Sequence, residues 1–243
     1  MIAAYVNLEV RRVLRDVGFT VFGIGTPVLM YLLFTNLGTD AGADSGSWRT
    51  TAMIGMAAYG ALGAALSVGT GVAEDKGTGW LRQLRVTPMS PRQVVIGRAA
   101  TGSVVVLPAV AAVLAAGGLV NDVRLAPWQW AATALVLWLG ALPFTLLGIG
   151  NGYRLTAQTT GTVNVVCNLA LSIVGRLWFP VELFPDWLRT VSDLTPTHRF
   201  AELGQGVAAG GPLPLAATAV VAGWTLLFGT YAVLSYRRSS RKV

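Results

Sequence analysis

Charge is what this sequence has least of. Asp, Glu, Lys and Arg make up 12% of its 243 residues, against about 25% in a soluble globular domain. Hydrophobic residues make up 53%, and the mean hydropathy is +0.60. A globular core does not need that much apolar sequence, whereas a bundle facing lipid does. Cysteine is almost absent. Cys167 stands alone in an apolar run and reads as a small buried hydrophobe. It allows no intrachain disulfide and no cysteine metal cluster. The single histidine, His198, excludes an H-E-x-x-H zinc site. There is no G-x-S-x-G elbow. There is also no G-x-x-x-x-G-K-[ST] loop, so the chain does not hold ATP in that manner. Without a nucleophile–base pair or ligand cluster, an intramembrane enzyme is disfavoured.

What the sequence does have is six long runs free of charge, at 17–39, 50–73, 99–121, 125–153, 155–175 and 213–236. Each reaches the ~18 residues of a membrane-span candidate. The first is too long for a signal-peptide core of ~7–15 residues. The fold expected is an all-α membrane protein, a single transmembrane domain over 1–243 with six transmembrane helices. The runs hold no ionisable residue at mid-depth, which argues against a proton- or sodium-coupled carrier working alone.

The scarce charges are unevenly placed. The net charge is +7. With the basic residues in short loops beside apolar runs, that sign reads as topology and contact with anionic headgroups, not as nucleic-acid binding. Thirteen of the 18 Lys and Arg fall on one side: Arg11, Arg12, Arg15, Lys76, Arg82, Arg85, Arg92, Arg98, Arg154, Arg237, Arg238, Arg241 and Lys242. Five fall on the other: Arg49, Arg124, Arg176, Arg189 and Arg199. The excess predicts both termini in the cytoplasm of a multi-pass protein of the cell membrane. Trp48, Trp128, Trp130, Trp178 and Trp187 fall at the outer ends of spans, where indole rings favour the interface.

Three segments are not plain spans. In 1–16, Ile2, Val6, Val10 and Val13 form one stripe with Arg11 and Arg15 opposite. This is an amphipathic helix lying on the cytoplasmic surface, or else an early start of the first span. In 74–98, Trp80, Leu81 and Leu84 share a helical face beside Arg82 and Arg85, bounded by Gly79 and Pro88. A short helix with an apolar knob and guanidinium flanks suits docking into a cytoplasmic partner. A solvated basic loop is the plainer reading. In 176–212, apolar and aromatic residues surround Pro180 and Pro185, which break helices. The segment is expected to be a re-entrant or interface-lying helical pair on the outer side, between the fifth and sixth spans.

Two polarity patterns lie within the spans. Gly63, Ser67 and Gly71 repeat at i+4, a spacing that permits close helix packing. Thr160, Asn164 and Asn168 do the same in the fifth span. Their row must face protein or a water-filled cavity, so it either bonds neighbouring helices or lines a transport path.

Taken together, the pattern resembles the permease subunit of ABC-2-type transporters across nearly the whole chain. One local match is Glu74-Asp75, Gly77-Thr78, then Gln83-Leu84-Arg85-Val86-Thr87-Pro88-Met89-Ser90 and Gly97-Arg98. The other is Phe179-Pro180, Leu183-Phe184-Pro185-Asp186-Trp187-Leu188 and Leu194-Thr195-Pro196-Thr197-His198. Two departures stand out: Gly79-Trp80 lengthens the step after Gly-Thr, and Arg176 replaces a small residue. Arg176 then needs Glu182 as a partner or meets an anionic substrate.

The resemblance implies an ATP-driven exporter. Two copies of a separate ABC ATP-binding subunit would carry ATP and Mg, with no cofactor, metal or catalytic residue in this chain. A second permease chain would complete a homodimer or heterodimer in the bilayer. Glu74, Gly77, Thr78, Trp80, Leu81, Leu84, Thr87 and Pro88 would couple to the ATPase. Thr160, Asn164 and Asn168 would lie on the path. Arg176, Pro180, Glu182, Pro185, Pro196 and His198 would form the outer motif. The cargo expected is a hydrophobic small molecule, drug- or antibiotic-like, or a lipid. A stand-alone ion-coupled carrier or channel is the alternative, and a regulatory membrane anchor is a weaker one.

Overall fold

The computed structural model describes residues 18–36, 45–78, 91–178 and 185–241. These residues are helical, with no strand among them. Helix α1 begins as a π-helical turn, Phe19–Gly25, and continues as Thr26–Asn36. The change of register falls at Pro27, which has no N–H to give and whose ring crowds the preceding turn. Helices α2 (Ser45–Gly77) and α3 (Pro91–Leu119) follow. Helices α4 (Pro127–Gly140) and α5 (Leu142–Arg154) form one rod interrupted at Ala141. The interruption comes from Pro143, so the Phe144 and Thr145 amides both turn to the Ala141 carbonyl (3.1 Å each). Helix α6 (Ala157–Val174) is capped by Thr156. The short helices α7 (Asp186–Leu194) and α8 (Pro196–Ala208) lead to α9 (Leu215–Arg241).

Among the described residues, four segments are long and apolar enough to cross a bilayer: Gly46–Gly77, Gln93–Leu119, Pro127–Arg154 and Leu215–Ser239. They correspond to the second, third, fourth and sixth expected spans. The first and fifth are helical over Phe19–Asn36 and Ala157–Val174. Helix α6 is more polar, because Gln158, Thr159, Thr160, Thr162, Asn164 and Asn168 dilute it. The surface helix expected at 1–16 and the coupling helix within 79–90 lie outside the described residues. Where a re-entrant pair was expected, α7 and α8 are two short helices joined at Thr195.

The chain runs back and forth between two ends. At one end, the Asn121 amide donates to Thr35 Oγ1 (2.5 Å). Arg49 donates to the Asn121 carbonyl (3.4 Å), and Gln129 to the Ala208 carbonyl (3.0 Å). These bonds join α1, α2, the α3–α4 turn, α4 and α8. At the other end, Lys76, Arg98 and Arg154 tie α2, α3, α5 and α9 together. The five cations assigned to the sparser side by sequence all lie at the first end.

Helix α2 is the hub and α9 the rim. The apolar window of α2 is 78% buried by the other helices, that of α9 only 17%. Side-chain size explains the difference. In lipid there is no hydrophobic drive between helices, so close approach of backbones decides the packing. Helix α2 offers Ala57, Ala58, Ala61, Ala64 and Ala65, all buried. Helix α9 turns Leu226, Leu227 and Leu234 outward, as a lipid-facing surface would.

Helices α2 and α5 meet backbone to backbone. A Cβ on Gly148 would lie 2.6 Å from the Leu66 carbonyl oxygen, and one on Gly69 or Gly152 would lie closer still to the opposite helix. The row Gly63, Ser67, Gly71 is not this seam. Gly63 sits against Asn168 of α6, and Gly71 has open space around its Cβ position. Replacing Gly152 or Gly148 with Val should therefore cost more than about 3 kcal/mol, beyond ordinary overpacking. Gly71→Ala should be neutral or slightly stabilising. Thermal unfolding in mild detergent checks both, and a Gly152→Val protein as stable as wild type would refute the seam.

Candidate functional site

Three polar assemblies interrupt the apolar bundle. The first flanks residues 79–90. Helix α5 ends at Arg154 with its last carbonyls unpaired, as any helix does. Lys76 of α2 supplies the donors: its Nζ reaches the carbonyls of Gly152 (3.1 Å), Tyr153 (3.2 Å) and Leu155 (2.5 Å). An ammonium at a helix C-terminus also complements the helix dipole. The neighbouring Asp75 forms an ion pair with Arg98 of α3. Residues 75 and 76 thus tie the end of α2 to both α3 and α5. Thr78 turns back on the same end, its hydroxyl donating to the Asp75 carbonyl (2.9 Å) and its amide to the Glu74 carbonyl (3.0 Å).

The second assembly is a buried chain of amides. Asn164 of α6 donates to the Leu66 carbonyl of α2 (2.7 Å). Its own oxygen accepts from Asn151 of α5 (2.9 Å). The Asn151 oxygen accepts from the Tyr231 hydroxyl of α9 (2.9 Å). Arg154 lies over the Tyr231 ring, 4.9 Å from its centroid, and donates to Ser235 (3.1 Å). Four helices are joined by groups that satisfy one another, as a polar group away from water requires.

The third assembly is at the opposite end, where α6 stops. Gly175 is the C-cap, and the Arg176 and Leu177 amides bond back to the Ile173 and Ser172 carbonyls (3.1 Å each). This motif normally puts glycine in the left-handed position after the cap. Here Arg176 occupies it, with φ +58°. Glycine is needed one residue earlier, because a Cβ on Gly175 would collide with Thr197. The strained backbone, worth roughly 1–2 kcal/mol, turns the Arg176 side chain inward. Its Nη2 donates to the Arg189 carbonyl (2.7 Å) and lies 3.3 Å from Asp193 Oδ1. His198 Nε2 is 3.5 Å from the same carboxylate oxygen. Burial, reinforced by the Arg176 charge, holds the His198 pKa below the usual 6.5, and Asp193 opposes this only in part.

The structure separates the sequence-predicted residues. Glu74, Gly77 and Thr78 stand at the end of α2, but Trp80, Leu81, Leu84, Thr87 and Pro88 lie outside the described residues. Thr160 is buried with its hydroxyl on the Thr156 carbonyl (2.7 Å). Asn164 is buried in the amide chain, and Asn168 packs against Gly63. Pro185 caps α7, Pro196 opens α8 and His198 follows in its first turn. Pro180 and Glu182, the latter expected as a partner of Arg176, lie outside the described residues; among the described residues Asp193 is the carboxylate beside Arg176. Sequence reading overlooked Lys76 as a cap, along with Asn151, Tyr231 and Asp193. The lone Asn151 inside a charge-free run was a usable clue, since a polar group there must have a partner.

The family model for "ABC-2 type transporter" matches residues 2–207. The chain is also 25% identical over 204 residues to "Putative transport permease YvfS" of Bacillus subtilis (strain 168), covering 84% of this chain and 83% of that protein.

Two outcomes are expected. Asn164→Leu should destabilise the bundle by about 1 kcal/mol, a usual size for an interhelical bond in a membrane. Asn151→Leu added to it should cost less than on its own, which a double-mutant cycle in detergent measures. The second concerns pH. A folded-state His198 pKa below the unfolded value means that the unfolded chain binds more protons on acidification. Stability is then full above the unfolded pKa near 6.5 and falls as pH drops below it. His198→Gln should flatten that decline in thermal unfolding between pH 7 and 5. An unchanged slope would refute the assignment.

Proposed function

The chain belongs to the ABC-2 type transporter family, and from that membership we propose that it is the permease subunit of an exporter driven by a separate ATP-binding subunit. The bundle crosses the membrane six times, with α1 and α6 as the first and fifth passes and both termini in the cytoplasm. The end that carries Lys76, Arg98 and Arg154 faces the ATPase. Two ATP-binding subunits, holding ATP and Mg, dock beneath a pair of permease chains. Hydrolysis occurs in those partners, and this chain moves the cargo, a hydrophobic small molecule or lipid.

One observation carries this reading. The segment 74–98, which resembles the family's coupling region, has both of its ends tied to the core. Asp75 and Lys76 on one side and Arg98 on the other join α2, α3 and the end of α5. Force applied to Trp80, Leu81, Leu84, Thr87 and Pro88, and passed on through Glu74, Gly77 and Thr78, reaches α5 directly. It continues through Arg154 and Asn151 to α9 and α6. The row Thr160, Asn164 and Asn168 is closed against its neighbours here. Transport along it requires α6 to part from α2 and α5, as a rocking bundle would allow.

The test is purification of the tagged full chain from its native cells in mild detergent. An ATP-binding protein with a phosphate loop should accompany it, and should be lost when Leu81 and Leu84 are both changed to Asp. If no ATPase accompanies the chain, and the chain alone moves solute down an ion gradient, the carrier alternative replaces this reading.

A further inference from the structure

At the end of the bundle away from Lys76, a small cavity opens between α1, α2, α8 and the turn after α6. Phe34, Trp48, Met56 and Trp178 form apolar walls, and Thr51, Gln205 and Arg176 bring polar atoms. Its volume is about 50 Å³. That is more than the share of a single water, and well short of the ~300–1,000 Å³ that encloses a drug-sized molecule. It has room for a headgroup.

Among the described residues, Arg176 is the only cation lining this cavity. Its side chain is 10% exposed, so its charge is largely removed from water. Among the described residues one carboxylate answers it, Asp193 at 3.3 Å, which is 48% exposed and also faces His198. Asp186 and Glu202 are engaged by Arg189 (3.5 Å) and Arg199 (2.7 Å). The buried Arg176 Nε finds no hydrogen-bond acceptor. A guanidinium buried with one solvated counter-ion and an unused N–H is under-compensated. Arg176 also stands in the left-handed position after the helix cap, where glycine is usual.

From this geometry we propose that the cavity binds one oxyanion, a phosphate or carboxylate headgroup, through the guanidinium of Arg176. With Nη2 held by the Arg189 carbonyl and Asp193, the guanidinium offers the oxyanion its remaining N–H donors. Gln205 and Thr51 add neutral polar contacts, and Trp48 and Trp178 supply apolar wall for an acyl or aryl tail. The site stands whether or not ATP drives the chain, because binding needs neither nucleotide nor partner.

The test uses the full chain in phosphatidylcholine nanodiscs, titrated with radiolabelled dodecyl phosphate and separately with radiolabelled inorganic phosphate. Saturable binding of one probe per chain is expected. Arg176→Gln should weaken it about tenfold or more, the loss expected for a charged hydrogen-bonding partner. Thr51→Phe, which fills the cavity without touching Arg176, should do the same, and it decides alone if Arg176→Gln does not fold. Arg124→Gln, an exposed cation at the same end, should bind as wild type. Arg176-dependent binding confined to dodecyl phosphate means that the ligand is an amphiphile from the bilayer. Equal binding of inorganic phosphate means a free oxyanion. Absence of saturable binding, or binding that both cavity variants leave unchanged, overturns the site.

Discussion

The contact of α2 with α5 at Gly69, Gly148 and Gly152 is the constraint on which the rest of the structure depends. Without a hydrophobic drive in lipid, two helices hold together only as well as their backbones can approach. Three glycines allow that approach here. It sets the height of α5 along α2, and with it the placement of everything polar. Lys76 reaches the last carbonyls of α5 because the two helices are in this register. Asn151 lies on the same helix, within reach of Asn164, which itself bonds the Leu66 carbonyl beside the seam. A shift of one turn, about 5.4 Å, would break the Lys76 cap and the amide chain together.

That dependence gives the bundle a mechanical character. The helices that share the seam also share the cation and amide bonds, so α2 and α5 move as one body. Helix α9 joins this body through Tyr231, Ser235 and Arg154. Helix α6 is attached by Asn164 and by the approach of Asn168 to Gly63. Hydrogen bonds of this kind within membranes are worth about 0.6 kcal/mol on average, far less than the steric lock of the seam. Compared with the α2–α5 seam, the joint to α6 is therefore the cheaper to open.

Much of this was legible in the sequence, for stated reasons. Scarcity of charge and the length of the apolar runs identify a membrane bundle without any fold knowledge. Among the described residues, the partition of Lys and Arg sorts the loops into the same two groups that the structure gathers at its two ends. What could not be read was which small residues make the seam. Gly63, Ser67 and Gly71 have the right spacing, but spacing on one helix says nothing about the partner's face. Gly69 lies on a neighbouring stripe and is selected by Gly148 and Gly152 across the contact. Asp193 was missed for a related reason: it is seventeen positions after Arg176, and only the fold of α7 against the end of α6 brings them together.

The two ends differ in how their cations are used. At the Lys76 end, the ammonium is spent on three backbone carbonyls, Arg98 on a carboxylate, and Arg154 on an aromatic face and a hydroxyl. These bonds hold helix ends together. At the opposite end, Arg176 keeps an N–H that nothing accepts, in a backbone conformation that disfavours it. Placing glycine in the left-handed position, as the capping motif prefers, would relieve that strain but remove the guanidinium. The collision between Gly175 and Thr197 explains why glycine stands one residue early. It does not explain why the next residue is arginine when Asn or a second glycine would fit the turn at lower cost. Arginine there ties the end of α6 to α7 through the Arg189 carbonyl and Asp193, and the oxyanion proposed above would take up an N–H that these contacts leave over.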